Sequence, residues 1–190
     1  MKPTLRVRAI ADAYPSAPRK KIIELCVAQG VKATTASTIY AAWKKEHRVA
    51  EQARSAYQPT YEYSELVALS STFGERNDCV VKMFSVVTGV HYKTMHMLCE
   101  IEGRKSGQGM RFDRWFPIFD RLGFDVEPIE LNAKTLRSSE TELRANYAGQ
   151  KVVLLVRGHV VGFDGYEIQD WAAYSKRRIM EAWVVKPRRH

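Results

Sequence analysis

Cysteine is scarce in this chain: Cys26, Cys79 and Cys99 are the only three in 190 residues. An odd number with no two close together excludes a disulfide framework or a zinc knuckle and fits a reducing compartment. Long apolar runs are missing as well. No stretch approaches the ~20 apolar residues that a membrane span needs, and no apolar core of a signal peptide stands near the N-terminus. A cytoplasmic protein with no membrane partner is therefore expected. Residues 103–109 are basic and glycine-rich but lack the Gly-Lys-Ser/Thr ending of a P-loop, so they read as a flexible loop bordering a cleft. His91 and His96 stand without carboxylates at ligand spacing and read as surface or partly buried histidines. Neither a metal nor a cofactor is expected.

What is present is ordinary in composition and uneven in charge. With 45% hydrophobic and 27% charged residues, the chain has the make-up of a globular protein. Residues 1–60 hold 11 Lys and Arg against 4 Asp and Glu, whereas residues 61–190 hold 19 against 17. A local basic excess of that kind commonly marks contact with nucleic acid or another acidic surface, and a solvated basic face without a partner is the frequent alternative.

The basic third reads as a small helical module, residues 1–57. Residues 1–18 carry three prolines and are expected to be extended, with a short helical turn at 8–13. A helix over residues 19–29 has the apolar stripe Ile22, Ile23, Cys26 and Val27. A second, from Thr34 or Thr35 to His47, places Ala36, Ile39, Tyr40 and Trp43 in register, and residues 48–56 prolong it or start a third. Two helices about Gly30 suggest helix-turn-helix geometry. The segment loosely resembles small DNA-binding modules of phage proteins. In such a motif Thr34, Thr35, Ser37, Thr38 and Lys44 face the groove, while Lys20, Lys21 and Lys45 meet phosphates. Docking to a protein is an equal alternative. The break at Tyr57-Gln58-Pro59-Thr60 sets the boundary of a second domain, residues 58–190.

That domain is organised around residues 75–89, an almost wholly apolar helix with Cys79 at its tip. Asp78 is expected to cap its start and Gly89 to end it, with Lys82 and Ser85 on a narrow polar face. A helix N-terminus favours the thiolate, the form that attacks carbonyls. Taken alone, Cys79 reads as one more small buried hydrophobe. Far downstream, residues 151–171 read as strands that carry His159 and then Asp170. The 11-residue step between those two leaves room for a hairpin turning at Asp164-Gly165. A cysteine, a histidine to take its proton and a carboxylate to orient the imidazole form the arrangement of thiol acyl-transfer sites.

The remaining elements read as scaffold. Tyr61-Glu62-Tyr63 is expected as an edge strand or arm, followed by a short helix over residues 64–70. A helix from His91 to Glu102 turns Tyr92, Met95, Leu98 and Cys99 inward. Residues 111–122 form an amphipathic helix with Phe112, Trp115, Phe116, Phe119 and Leu122 on one face, kinked or split at Pro117. A strand over 123–129, a capped helix over 135–147, a central strand over 152–156 and a last strand over 179–185 follow. The closing Lys-Pro-Arg-Arg-His is expected to be a mobile tail.

The run Arg76-Asn77-Asp78-Cys79 opening a helix, Gly158-His159-Val160-Val161 on a strand, and Gln169-Asp170-Trp171 before a basic stretch resemble a known family. They are similar to the papain-like fold of phage and bacterial proteins, whose better-known relatives are the bacteriocin-processing cysteine peptidases. The likeness covers residues 61–186. It implies an α+β domain with the nucleophile helix ahead of an antiparallel sheet, and a peptide or protein substrate. It also implies Cys79 as nucleophile, His159 as general base, Asp170 as its orienting partner, and a phage-encoded protein of the host cytoplasm or virion. Papain-like peptidases place a glutamine shortly before the nucleophile; residues 72–78 contain none, and Asn77 or backbone amides take its place in stabilising the oxyanion. Two alternatives stay open. One is a catalytically inactive, structural or DNA-associated protein; the other is acyl transfer, since arylamine acetyltransferases use the same trio.

Overall fold

The computed structural model describes residues 2–14, 17–55 and 61–188, and the side chains of all of these except 49–55. They divide into two compact units, Met1–Val49 and Ala50–His190. The expected break at residues 57–60 lies outside the described residues.

The first unit is helical from near its start. α1 (Pro3–Ala13) replaces the expected extended lead-in: Pro3 sits in the first turn, where a missing N–H costs no helical hydrogen bond. Its Val7, Ile10 and Ala11 are buried against Ile22 and Cys26 of α2 (Arg19–Ala28) and against Ala36, Tyr40 and Trp43 of α3 (Ala33–Ser55). Two polar ties lock α1 to α3. The Trp43 indole donates to Asp12 at 2.7 Å, and Arg8 pairs with Glu46 at 2.6 Å. Three helices thus share one core, where the sequence suggested two. Val27, expected in the apolar stripe, is 48% exposed.

The second unit is α+β. α4 (Tyr63–Thr72) begins where an edge strand or arm was expected, because Glu62 and Glu65 form a reciprocal cap that starts a helix there. α5 (Cys79–Thr88) ends at Gly89, and α6 (Tyr92–Ile101) buries Tyr92, Met95, Leu98 and Cys99. A 3-10 turn (Phe112–Arg114) leads into α7 (Trp115–Leu122). Pro117 therefore lies in the first turn of α7, where it needs no kink, and Ile118 rather than Phe116 completes the buried face.

The sheet is antiparallel in the order β1-β4-β2-β3, formed by β1 (Phe124–Ile129), β2 (Lys151–Val156), β3 (His159–Phe163) and β4 (Ile179–Pro187). β2 is an inner strand, as its continuous apolar run implies. Alternation sends Val152, Leu154, Val156, Val161, Phe163, Ala182 and Val184 to the face covered by α8 (Leu136–Asn146), whose Leu136 and Leu143 join that core. α5 and α7 cover the other face, linked by Phe84 and Phe119, whose ring centroids lie 4.7 Å apart. β4 outlasts its expected end. It runs to Pro187, and Arg188 is held by the Gly123 carbonyl and by Asp120 and Asp125, so this part of the expected tail is pinned to the sheet edge.

Candidate active site

Cys79 opens α5 and His159 opens β3, and the packing of these two elements brings them together. Gly162 has no side chain because α5 leaves no room for one: a Cβ there would stand 2.8 Å from Val86 Cγ1. Seven residues of helix separate Cys79 from Val86, a rise of about 10.5 Å, and three residues of strand separate His159 from Gly162, about 10 Å. The two elements therefore run in step from the Gly162 contact back to the thiol and the imidazole. Ahead of β3, Gly158 takes a φ of 71° and closes the two-residue turn from β2, so that Val156 pairs with His159.

Asp170 returns through the expected turn at Asp164-Gly165, but not on the expected strand. β3 ends at Phe163, and the chain turns back through a loop bridged only at Phe163 and Ile168. Asp164 builds that turn, its Oδ1 accepting from the Tyr166 and Glu167 amides at 2.8 Å each. Asp170 sits in irregular chain, not on a strand. Its Oδ1 accepts from the Ala172 amide at 2.8 Å and from His159 Nε2–H at 2.9 Å. With Nε2 committed to Asp170, Nδ1 is the ring nitrogen left for the Cys79 sulfur, which lines the same cavity. Burial opposes the charged imidazolium, but the hydrogen bonds to Asp170 and Cys79 and the charges of both outweigh it, and the His159 pKa rises to about 9. Trp171, 60% exposed, lies tilted beside the imidazole with ring centroids 5.5 Å apart.

The residues flanking Cys79 depart from expectation. Asp78 occupies the N-cap position without capping: its Oδ1 takes Lys82 at 2.9 Å and its Oδ2 takes the Tyr92 hydroxyl at 2.6 Å. Burial alone would raise its pKa, yet the bonds from Tyr92, Lys82 and Ser70 hold it below the ordinary range. Ser85 is fully buried and its hydroxyl has no partner among the described residues, so the expected polar face of α5 reduces to Lys82. Asn77 lines the cleft and donates one amide hydrogen to the Gly107 carbonyl at 2.9 Å.

The cleft is two-sided. A cavity of about 350 Å³ is lined by Cys79, His159, Asp170, Asn77, Arg76 and Arg177. A second, of about 360 Å³, meets it at Cys79, Gly158 and His159 and is walled by Val80, Met110, Phe112, Trp115, Leu155 and Val160. One is polar and the other apolar.

Behind the cleft lies a cluster that the sequence did not suggest. His96, expected without a carboxylate partner and at or near the surface, is buried, and its Nε2 donates to Glu75 at 2.6 Å. Residues 103–109, expected as a flexible loop, are fastened to the same carboxylate: Arg104 grips Glu75 at 2.8 and 3.1 Å, and the Gly107 amide donates to it at 2.9 Å. Burial works against the Glu75 charge, but Arg104 and His96 overcome it and hold its pKa far below the usual carboxylate range. The inward register of Tyr92, Met95, His96 and Cys99 is the sequence signal that could have found this histidine a partner.

In the first unit, Lys20, Lys21, Thr34, Thr38, Lys44 and Lys45 are exposed, and Thr35 and Ser37 are half-buried. Ser37 already accepts from Arg19, and the Thr38 hydroxyl donates to the Thr34 carbonyl at 3.1 Å within the helix. Among the described residues no group of three His, Cys, Asp or Glu side chains could hold a metal ion, and no helix is long and apolar enough to cross a membrane. In comparisons with known proteins, no family model, no curated protein and no solved structure matches the chain.

Proposed function

We propose that the chain is a cysteine-dependent hydrolase of papain-like type acting on peptide bonds. The reading rests on one observation: the His159 ring is hydrogen-bonded to Asp170 at 2.9 Å and lines the same cavity as the Cys79 thiol. An imidazolium beside the sulfur favours the thiolate, and Asp170 fixes the ring so that Nδ1 faces the nucleophile.

The thiolate attacks the substrate carbonyl carbon, forming a C–S bond and a tetrahedral oxyanion. His159 gives its Nδ1 proton to the leaving amine as the C–N bond breaks. Water then attacks the thioester, passing a proton back to His159, and the C–S bond breaks to restore the thiolate and release the acid. Two donors suit the oxyanion. The Asp78 side chain leaves the first amides of α5 uncapped, so the Cys79 N–H is available, and Asn77 has a second amide hydrogen beyond the one given to Gly107.

The experiment is alkylation of Cys79 by iodoacetamide at pH 7, followed by mass spectrometry of the Cys79 peptide. Without an imidazolium partner a thiol is only a few per cent thiolate at this pH, so His159→Gln is expected to slow labelling on the order of 10-fold or more. Hydrolysis of internally quenched peptides should be lost with it. Equal labelling of the wild type and His159→Gln would sink the proposal.

A further inference from the structure

The polar half of the cleft carries more positive charge than its own carboxylates answer. Of the acidic residues lining it, Asp78 is taken by Lys82 and Tyr92, and Asp170 by His159 and the Ala172 amide. Arg76 and Arg177 line the same cavity, and neither has a carboxylate partner among the described residues. Arg177 lies over the Trp171 ring, 5.1 Å from its centroid, which holds the guanidinium on an aromatic shelf next to His159. Arg76 stands three positions before the nucleophile. A concave site that is cationic and unbalanced concentrates anions, and a guanidinium fork matches the two oxygens of a carboxylate.

We propose that this cleft selects substrates with a carboxylate close to the scissile bond, bound between Arg76 and Arg177. The proposal rests on the thiol-hydrolase reading of the same site. The carboxylate belongs to an Asp or Glu side chain or to a peptide's free C-terminus. Both present the same group to the arginines, and the test separates them.

Two measurements decide it. The first needs no turnover: Cys79 is alkylated with iodoacetate, which is anionic, and with iodoacetamide, its neutral isostere, in the wild type and in the double variant Arg76→Gln/Arg177→Gln. The ratio of the two rates cancels changes in thiol reactivity. It is expected to fall at least about threefold in the double variant at low ionic strength, and by less in 0.5 M salt, since exposed charges are screened. A ratio that does not move overturns the carboxylate proposal and leaves the hydrolase reading intact. Iodoacetamide labelling that is indifferent to His159→Gln overturns the hydrolase reading, while the ratio still reports the charge.

The second measurement uses internally quenched peptides with Glu, Gln or Lys at each position flanking the cleavage point, and short peptides ending in a free carboxylate or an amide. Preference for internal Glu over Gln assigns the side-chain source, and preference for the free terminus over the amide assigns the other. Equal rates for acidic and neutral peptides in both sets overturn the proposal.

Discussion

Two hydrogen-bonded histidine–carboxylate pairs among the described residues of the second unit differ chiefly in what surrounds them. His159 donates to Asp170 at 2.9 Å and His96 to Glu75 at 2.6 Å, each from Nε2, and all four residues sit largely out of water. On its far side the His159 ring meets a thiol and two cavities. Behind Glu75 stands Arg104, both side chains fully buried, while Phe73 stacks on His96 at 5.0 Å. The same pair is thus chemically useful where its third partner is a nucleophile open to solvent, and a fastening where its third partner is a buried cation. Arg104 also reaches the Asn77 carbonyl at 3.4 Å, and Glu75 holds the Gly107 amide, so the fastening ties the strand of chain before Cys79 to the loop that rims the cleft.

The sharpest way to break that contrast is to remove one member of each pair. Arg104→Met strands the Glu75 carboxylate in the interior, and a broken buried ion pair costs about 3–5 kcal/mol. Asp170→Asn keeps an oxygen that can still accept from His159 and from the Ala172 amide at a buried position, and is expected to cost about 1.5–3 kcal/mol, while slowing iodoacetamide labelling of Cys79. Urea unfolding and labelling rates measured on both variants check this. A large stability loss from Asp170→Asn with thiol reactivity intact would exchange the two roles.

A step down in size is Gly162→Ala. The added methyl would meet Val86 Cγ1 at 2.8 Å, well inside contact distance, so α5 must shift away from β3. Overpacking of this kind costs about 1–3 kcal/mol. Because α5 and β3 carry Cys79 and His159 respectively, labelling of Cys79 should slow as well, whereas the Glu75–Arg104 fastening lies off this contact. A variant that loses stability and keeps full thiol reactivity would show that the helix–strand register does not set the pairing.

The two pairs were not equally legible in the sequence, for a physical reason. Cys79 and His159 open elements and Asp170 follows a tight turn, and such places have local signals: an apolar run beginning at Cys79, a turn at Gly158, a return forced by Asp164-Gly165. Asp170 was found even though the strand expected to carry it does not form, since the turn alone brings it back. Glu75, His96 and Arg104 are joined across 21 and 29 residues, and nothing near any one of them announces the others. Buried ion pairs are solutions to a tertiary problem, and local periodicity does not describe them. The same limit explains Arg104, whose setting in a glycine-rich basic run reads as flexible until its partner is known. In the first unit the cause was different. Val7, Ile10 and Ala11 keep helical spacing, but Pro3 reads as a breaker unless it is placed at the one helical turn that tolerates it. The architecture of the sheet was largely readable, because alternation and turn glycines carry it.

The two pairs also separate by the sign of their response to pH. Glu75 has a folded pKa below its ordinary value of 4.5, so its contribution to stability is present above that value and lost only as pH falls well beneath it. His159 moves the other way. Its pKa rises from 6.5 to about 9, so its contribution is full below pH 6.5 and is lost as pH rises through 9. Thermal unfolding of wild type and His159→Gln across pH 6 to 10 should therefore show a gap that is widest at the acid end and narrows towards the alkaline end. Part of the upward shift comes from the Cys79 hydrogen bond and charge, so Cys79→Ala should lower the imidazole pKa, read by NMR titration, and move the narrowing to lower pH. An imidazole that titrates identically with and without the sulfur would mean that His159 belongs to Asp170 alone. The two histidine pairs would then be alike after all.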